Sequence, residues 1–209
     1  MKTLLDLENW NRKEHFAHFS KMEEPFFGAT VEIDCTKAYK TAKELKVSFF
    51  IYYLHKTLVA VNSIENFRYR IAEDKIYIND RIDVSATIGR EDGTFGFSLI
   101  EYNPDFRIFE QNALAEIERI QNTTGLFTRS FDDDNVIHFS AIPWLNFTSL
   151  SHARSFTYPD SCPKVSFGKM ITSESGKKTI AMSAHVHHGL MDGLHLGQFV
   201  DTLQGLMNE

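Results

Sequence analysis

Three of the nine histidines fall within four positions, His185, His187 and His188, and Gly189-Leu190-Met191-Asp192-Gly193 follows them. Three chemistries compete for this cluster. Imidazoles with a nearby carboxylate have the right ligand types for a metal ion. Strand parity opposes that. Ile180, Met182, Ala184 and Val186 share an apolar face that His188 continues, while His185 and His187 point to the other face, so the three rings do not converge. A structural reading makes Asp192 the N-cap of a following helix and leaves His187 and His188 as turn residues with satisfied hydrogen bonds. A catalytic reading uses His188. A partly desolvated imidazole leaving the apolar side of a strand is neutral near pH 7, because an ordinary histidine titrates at about 6.5, and can take a proton as a general base.

Other chemistries lack their residues. No Ser stands in a G-x-S-x-G elbow, which leaves a covalent hydrolase unsupported. No G-x-x-x-x-G-K-[ST] or G-x-G-x-x-G occurs, so neither a phosphate-cradling loop nor a dinucleotide fingerprint is present. Cys35 and Cys162 are far apart and form no C-x-x-C; they suggest a reducing compartment rather than zinc or redox chemistry.

The elements that must position the cluster can be read from periodicity. Lys178 to His187 is a strand, paired across the polar turn 173–177 with a strand from Lys164 to Thr172, and Gly193 to Met207 is a helix with Leu196, Phe199, Val200, Leu203 and Leu206 on one stripe. Ala29 to Cys35 alternates as a strand. Lys37 to Leu45 is a short helix, and Ser48 to Asn62 is a helix apolar nearly all round, which places it at the centre of the fold. Phe67–Ala72 with Lys75–Asn79, and Ile82–Gly89 with Thr94–Glu101, read as two hairpins. Asn103-Pro104-Asp105 opens a helix with Phe106, Phe109, Ala113, Ile117 and Ile120 on one face. Val136 to Ile142 is a strand ending at Pro143, and Asn11 to Met22 a short amphipathic helix. Strands and helices mix without strict alternation. The expected fold is therefore α+β, a two-layer sandwich with a mixed or mainly antiparallel sheet and helices packed on one side, in a single domain over residues 1–209.

The chain has 209 residues, 43% hydrophobic and 24% charged, an ordinary globular composition. Its net charge of −6 carries no basic block, so neither nucleic acid nor an anionic membrane is expected as a partner. Eighteen Phe and seven Tyr supply apolar walls for a buried small-molecule site. The N-terminus lacks the apolar run of a signal peptide, and the most apolar stretch, Val47 to Val61, carries His55 and Lys56 and is too short to span a bilayer. A cytoplasmic location is expected.

The segment HHGLMDG resembles the H-H-x-x-x-D-G signature of chloramphenicol acetyltransferases and contains the shorter H-x-x-x-D-G shared with dihydrolipoyl acyltransferase domains. Two further blocks strengthen the resemblance. Residues 9–16, N-W-N-R-K-E-H-F, resemble the family's N-W-x-R-x-E-H-F, and residues 140–147, S-A-I-P-W-L-N-F, its S-A-[LI]-P-W-x-[ND]-F. The order, the spacing and the total length agree over essentially the whole chain.

The resemblance implies acetyl transfer from acetyl-coenzyme A to a hydroxyl of chloramphenicol or a related small molecule, in a ternary complex, with no metal. It implies His188 as general base, Ser140 as donor to the oxyanion, and an Arg12–Asp192 pair that supports the loop carrying the histidine. Taken alone, Ser140 is an unremarked strand residue. Ser166 falls where the family has a threonine implicated in water-mediated support, and a plain strand serine fits it equally. Lys46 and Lys169 fall near lysines at the mouth of the coenzyme A channel, where solvated lysines would look the same. Phe95, Phe127 and Leu150 align with apolar walls of the acceptor pocket. Phe19 replaces a tyrosine, His138 stands where an asparagine is common, and Phe97 takes an often small position, so the pocket's polar contacts and volume differ. A homotrimer with sites at subunit interfaces is implied as well. Two alternatives remain, transfer to another alcohol or a thiol, and a binding protein that keeps the fold without catalysis.

Overall fold

In the computed structural model, residues 1–129, 134–154 and 160–209 are described. Six strands form the main sheet in the order β2-β9-β8-β7-β5-β6: β2 is Phe26–Asp34, β5 Asp83–Gly89, β6 Phe95–Phe97, β7 Val136–Ala141, β8 Lys164–Thr172 and β9 Lys178–His187. β5, β7 and β8 run parallel and the other pairs are antiparallel, so the sheet is mixed. β1 (Lys2–Leu4), β4 (Lys75–Asn79) and β3 (Tyr69–Ala72) form a separate three-stranded sheet. Both expected hairpins form. The first lies outside the main sheet and recruits β1, which three exposed residues do not announce.

Period-two alternation gives the main sheet two unlike faces. Ile137, Phe139, Val165, Phe167, Met182, Ala184 and Val186 are all buried against the helices. The helices are α1 (Lys13–Phe19), α2 (Thr36–Glu44), α3 (Phe49–Ser63), α4 (Phe106–Gln121) and α5 (Gly193–Met207). α3 is the core of that layer, with Leu54, Leu58, Ala60 and Val61 fully buried, which explains why it is apolar nearly all round. Truncating one such leucine to alanine costs about 2–5 kcal/mol, because the transfer energy and the cavity add.

The opposite face is polar. Ser140 on β7 lies opposite Ser166 on β8, which lies opposite Ser183 on β9. One row along, Ser85, His138, Lys164, His185 and Gly28 are in register across five strands. Gly28 is needed there, since a Cβ at that position would lie 2.3 Å from the His185 ring. α1 is shorter than expected from residues 11–22, because the chain turns at Ser20, whose hydroxyl donates to the Phe16 carbonyl at 2.5 Å.

Candidate active site

His188 emerges from the end of β9 and its amide donates to the Pro25 carbonyl at 2.7 Å, prolonging the pairing with β2. Its ring stacks on Phe19 at 3.8 Å with an interplanar angle of 4°, and Phe27 lies 4.6 Å away on a tilted plane. Nδ1 is buried with no hydrogen-bond partner among the described residues. The parity reading holds. His188 lies on the side of Phe27 and Val186, and His185 and His187 face the other way. His187 closes the turn, its Nδ1 accepting from the Gly189 amide at 3.1 Å, and burial brings its imidazole down to about 4.

Arg12 and Asp192 brace this turn. Arg12 Nη1 donates to Asp192 Oδ2 at 2.5 Å, and Nη2 donates to the His188 carbonyl at 3.2 Å. Asp192 also caps α5, accepting from the Leu194 amide at 3.0 Å. Burial pushes its carboxyl up, but the hydrogen bond and charge of Arg12, the Leu194 amide and the charge of His195 outweigh that and hold it at about 2. His195, three residues into the helix, lies 2.9 Å from Asp192 Oδ1 through Nδ1 and 3.2 Å from the Asp192 amide. This completes a capping box. Sequence reasoning passed over His195 because the usual box has Glu or Gln at that position.

Ser140 occupies a second place. It lines a cavity of about 240 Å³ with Ser85, Thr87, Phe95, Phe97, His138, Phe139, His152, Ala153 and Lys164. The Thr87 hydroxyl donates to Ser140 Oγ at 3.4 Å. Phe97 packs against Phe95 at 5.6 Å and Phe127 at 5.3 Å, and Phe127 is 69% exposed. Ser166, beside Ser140 on the next strand, is fully buried with an Oγ that has no partner among the described residues. His138 opens onto the cavity, yet surrounding atoms desolvate its ring. That desolvation and the Lys164 ammonium bring it down to about 4 against the opposing pull of Asp160. Leu150 is half-buried and does not line the cavity.

Lys169 and Lys46 are exposed and neither has a carboxylate partner among the described residues. Lys169 sits at the β8 bulge, its amide bound to the Leu145 carbonyl at 2.7 Å, next to the exposed Trp144. Lys46 ends the turn after α2 at a φ of 57°.

The expected site residues thus form two clusters. Arg12, Phe19, His188 and Asp192 lie together, as do Phe95, Phe97, His138 and Ser140, with Phe127 on the edge. The two are apart. Ser183 is the β9 residue in Ser140's row, five residues before His188 and two strands across, so His188 and Ser140 are separated by roughly 19 Å and carry opposite parity. Among the described residues no group of three or more His, Cys, Asp or Glu is arranged to hold a metal ion, and no helix is long and apolar enough to cross a membrane.

Comparison with known proteins places the chain in a family and a fold. The chloramphenicol acetyltransferase family model matches residues 1–204. Chloramphenicol acetyltransferase 3 of Escherichia coli is 30% identical over 99% of this chain and 97% of its own length. A chloramphenicol acetyltransferase of Bacillus pumilus is 29% identical over 96% and 91%. A solved chloramphenicol acetyltransferase structure superposes with a TM-score of 0.90 at 32% identity, covering 99% of this chain and all of the other. A probable dihydrolipoamide acetyltransferase from Listeria monocytogenes shares the fold, with a TM-score of 0.68 at 14% identity over 93% of this chain and 88% of that one.

Proposed function

This chain belongs to the chloramphenicol acetyltransferase family, a family of acyltransferase enzymes, and we propose from that premise that it moves an acetyl group from acetyl-coenzyme A to a hydroxyl of chloramphenicol or a related small alcohol. His188 removes the hydroxyl proton as the oxygen attacks the thioester carbonyl. A carbon–oxygen bond forms and the carbonyl oxygen becomes an oxyanion, which the Ser140 hydroxyl stabilises. The intermediate collapses, the carbon–sulfur bond breaks, and the proton on His188 passes to the departing thiolate. Both substrates are bound together and no acyl-enzyme forms. General-base catalysis contributes about 10²–10⁴-fold and one oxyanion donor about 3–4 kcal/mol.

The observation that carries this reading is the setting of His188. Its ring is held between Phe19 and Phe27 and its carbonyl by Arg12, while Nδ1 is enclosed; this leaves Nε2 as the nitrogen that meets a substrate. A ring held in place by stacking needs little reorganisation during proton transfer. Ser166, with an uncommitted hydroxyl next to Ser140, is suited to hold a water at the oxyanion. Lys46 and Lys169, without a carboxylate partner among the described residues, supply ammonium groups for the coenzyme phosphates. Phe95 and His138 line the acceptor's cavity, with Phe127 at its edge and Phe19 brought by the copy that supplies His188.

Because His188 and Ser140 lie far apart in one chain, the working site takes His188 from one copy and Ser140 from another, in a homotrimer with three interfacial sites. The test is release of coenzyme A from acetyl-coenzyme A in the presence of chloramphenicol. Acceptor-dependent release by the wild type and its loss in His188→Ala are expected. No release with any alcohol would return the chain to a binding role.

A further inference from the structure

We infer that His195 and Asn66 are positioning residues for the transfer reaction: with Arg12 they clamp the turn that carries His188, so that its ring stays where it can take the hydroxyl proton. The inference rests on the acetyl-transfer reading above and adds two residues to that site.

Residues 188–192 link β9 to α5, and a connecting segment of this kind is ordinarily mobile. Part of its backbone is satisfied locally. The His188 amide donates to the Pro25 carbonyl at 2.7 Å, and the Leu190 and Met191 amides donate to the His187 carbonyl at 3.0 and 3.1 Å. Other groups depend on side chains from outside the turn. Arg12, just before α1, donates to the His188 carbonyl at 3.2 Å. Asn66, in the short 3-10 helix Glu65–Arg68, donates through Nδ2 to the Leu190 carbonyl at 3.1 Å across 124 positions of sequence, and Leu190 itself is fully buried.

His195 does more than cap α5. Its Nδ1 lies 2.9 Å from Asp192 Oδ1 and 3.2 Å from the Asp192 amide nitrogen. Protonated, Nδ1 donates to the carboxylate; unprotonated, it accepts from the amide. Either bond ties the ring to residue 192. Oδ1 also accepts from the Leu194 amide at 3.0 Å, so it is turned toward α5 and Oδ2 is left facing Arg12 at 2.5 Å. Arg12 then reaches the His188 carbonyl with its second nitrogen. His195 thus acts on His188 through Asp192 and Arg12, while Asn66 holds the same turn by a separate bond. Misplacing a reacting group by about 1 Å costs on the order of 10²-fold in rate, so loosening one clamp should cost about tenfold.

The experiment uses the whole protein with acetyl-coenzyme A and chloramphenicol, at a temperature where circular dichroism shows each variant folded. His195→Leu should lower turnover about tenfold and leave both Michaelis constants within about twofold. His195→Gln, whose amide both donates and accepts, should recover most of the rate. Exchange of the His188 and Gly189 amide hydrogens, read by NMR, should be about tenfold faster in His195→Leu and close to wild type in His195→Gln. A residue that only capped the helix would lower the melting temperature without moving turnover or these two amides. Asn66→Leu, which frees the Leu190 carbonyl and leaves the cap intact, should lower turnover and speed exchange in the same way, and it carries the test if His195→Leu does not fold. Turnover within about twofold of wild type in the folded variants, an effect confined to the Michaelis constants, a loss as large in His195→Gln, or unchanged exchange overturns the proposal. No coenzyme A release by the wild type with any alcohol overturns the acetyl-transfer reading instead, and the exchange rates then decide the clamp by themselves.

Discussion

Arg12 Nη1 and Asp192 Oδ2 meet at 2.5 Å across 180 positions of sequence, and the same guanidinium holds the His188 carbonyl. The Arg12 side chain is 8% exposed and that of Asp192 32%. Removing either partner strands a charge in a poorly solvated place. Arg12→Ala or Asp192→Asn should cost about 2–3 kcal/mol, below the roughly 3–5 kcal/mol of fully buried pairs because water reaches the carboxylate, and activity should fall with stability. Thermal unfolding of the two variants checks this; a melting temperature equal to wild type contradicts it.

The same pair sets an acid dependence. The Asp192 carboxyl is held at about 2 when folded, against an ordinary value near 3.9 when unfolded. A depressed carboxyl contributes stability that is complete above its unfolded value and is lost as pH falls through the folded one. The contribution, about 2 kcal/mol before allowing for solvent, should fade between about pH 4 and pH 2. Comparing denaturant midpoints of wild type and Asp192→Asn over that window should show a steeper decline for the wild type. Parallel declines contradict the assignment.

His188→Ala should lower turnover by at least about 10³-fold while the protein stays folded, since its ring stacks on Phe19 at the edge of the core rather than within it. A variant that keeps more than a tenth of the activity removes His188 from the mechanism.

Ser140→Ala should cost about 10²-fold or more in turnover with little change in Michaelis constant, because the contact strengthens only as the oxyanion forms. Thr87→Val, which removes the hydroxyl donating to Ser140 Oγ at 3.4 Å, should give a smaller effect of the same kind. A change confined to the Michaelis constant would reassign Ser140 to binding.

Much of this site was legible from strand parity. The alternation from Ile180 to Val186 placed His188 apart from His185 and His187, and the pairing of Phe27 with Val186 bears that out. The helix from Gly193 to Met207 and both strands before it fall at their expected bounds, because long, strongly periodic segments declare themselves. The parallel run of β5, β7 and β8 was not legible, since strand order depends on contacts between distant segments. Nor was His152, which stands in a loop without periodicity and still lines the cavity. The distance between His188 and Ser140 also lay beyond the motifs, which record residue types and not which face of the sheet each occupies.

Chloramphenicol should be acetylated with a raised Michaelis constant compared with the chloramphenicol acetyltransferases this chain resembles. Phe97 adds bulk to the cavity wall, and His138 alters its polar contacts. Steady-state kinetics check this, and tight, fast turnover of chloramphenicol contradicts it.

The most direct measurement mixes two disabled variants. His188→Ala and Ser140→Ala are each purified, combined in equal amounts, unfolded and refolded together, and assayed for coenzyme A release. If each site takes His188 from one copy and Ser140 from its neighbour, random assortment gives about one interface in four both intact residues, and about a quarter of the wild-type rate should return. Sedimentation of the refolded mixture should show trimers. A mixture no more active than the separate variants would contradict the shared site and place His188 and Ser140 in unrelated roles.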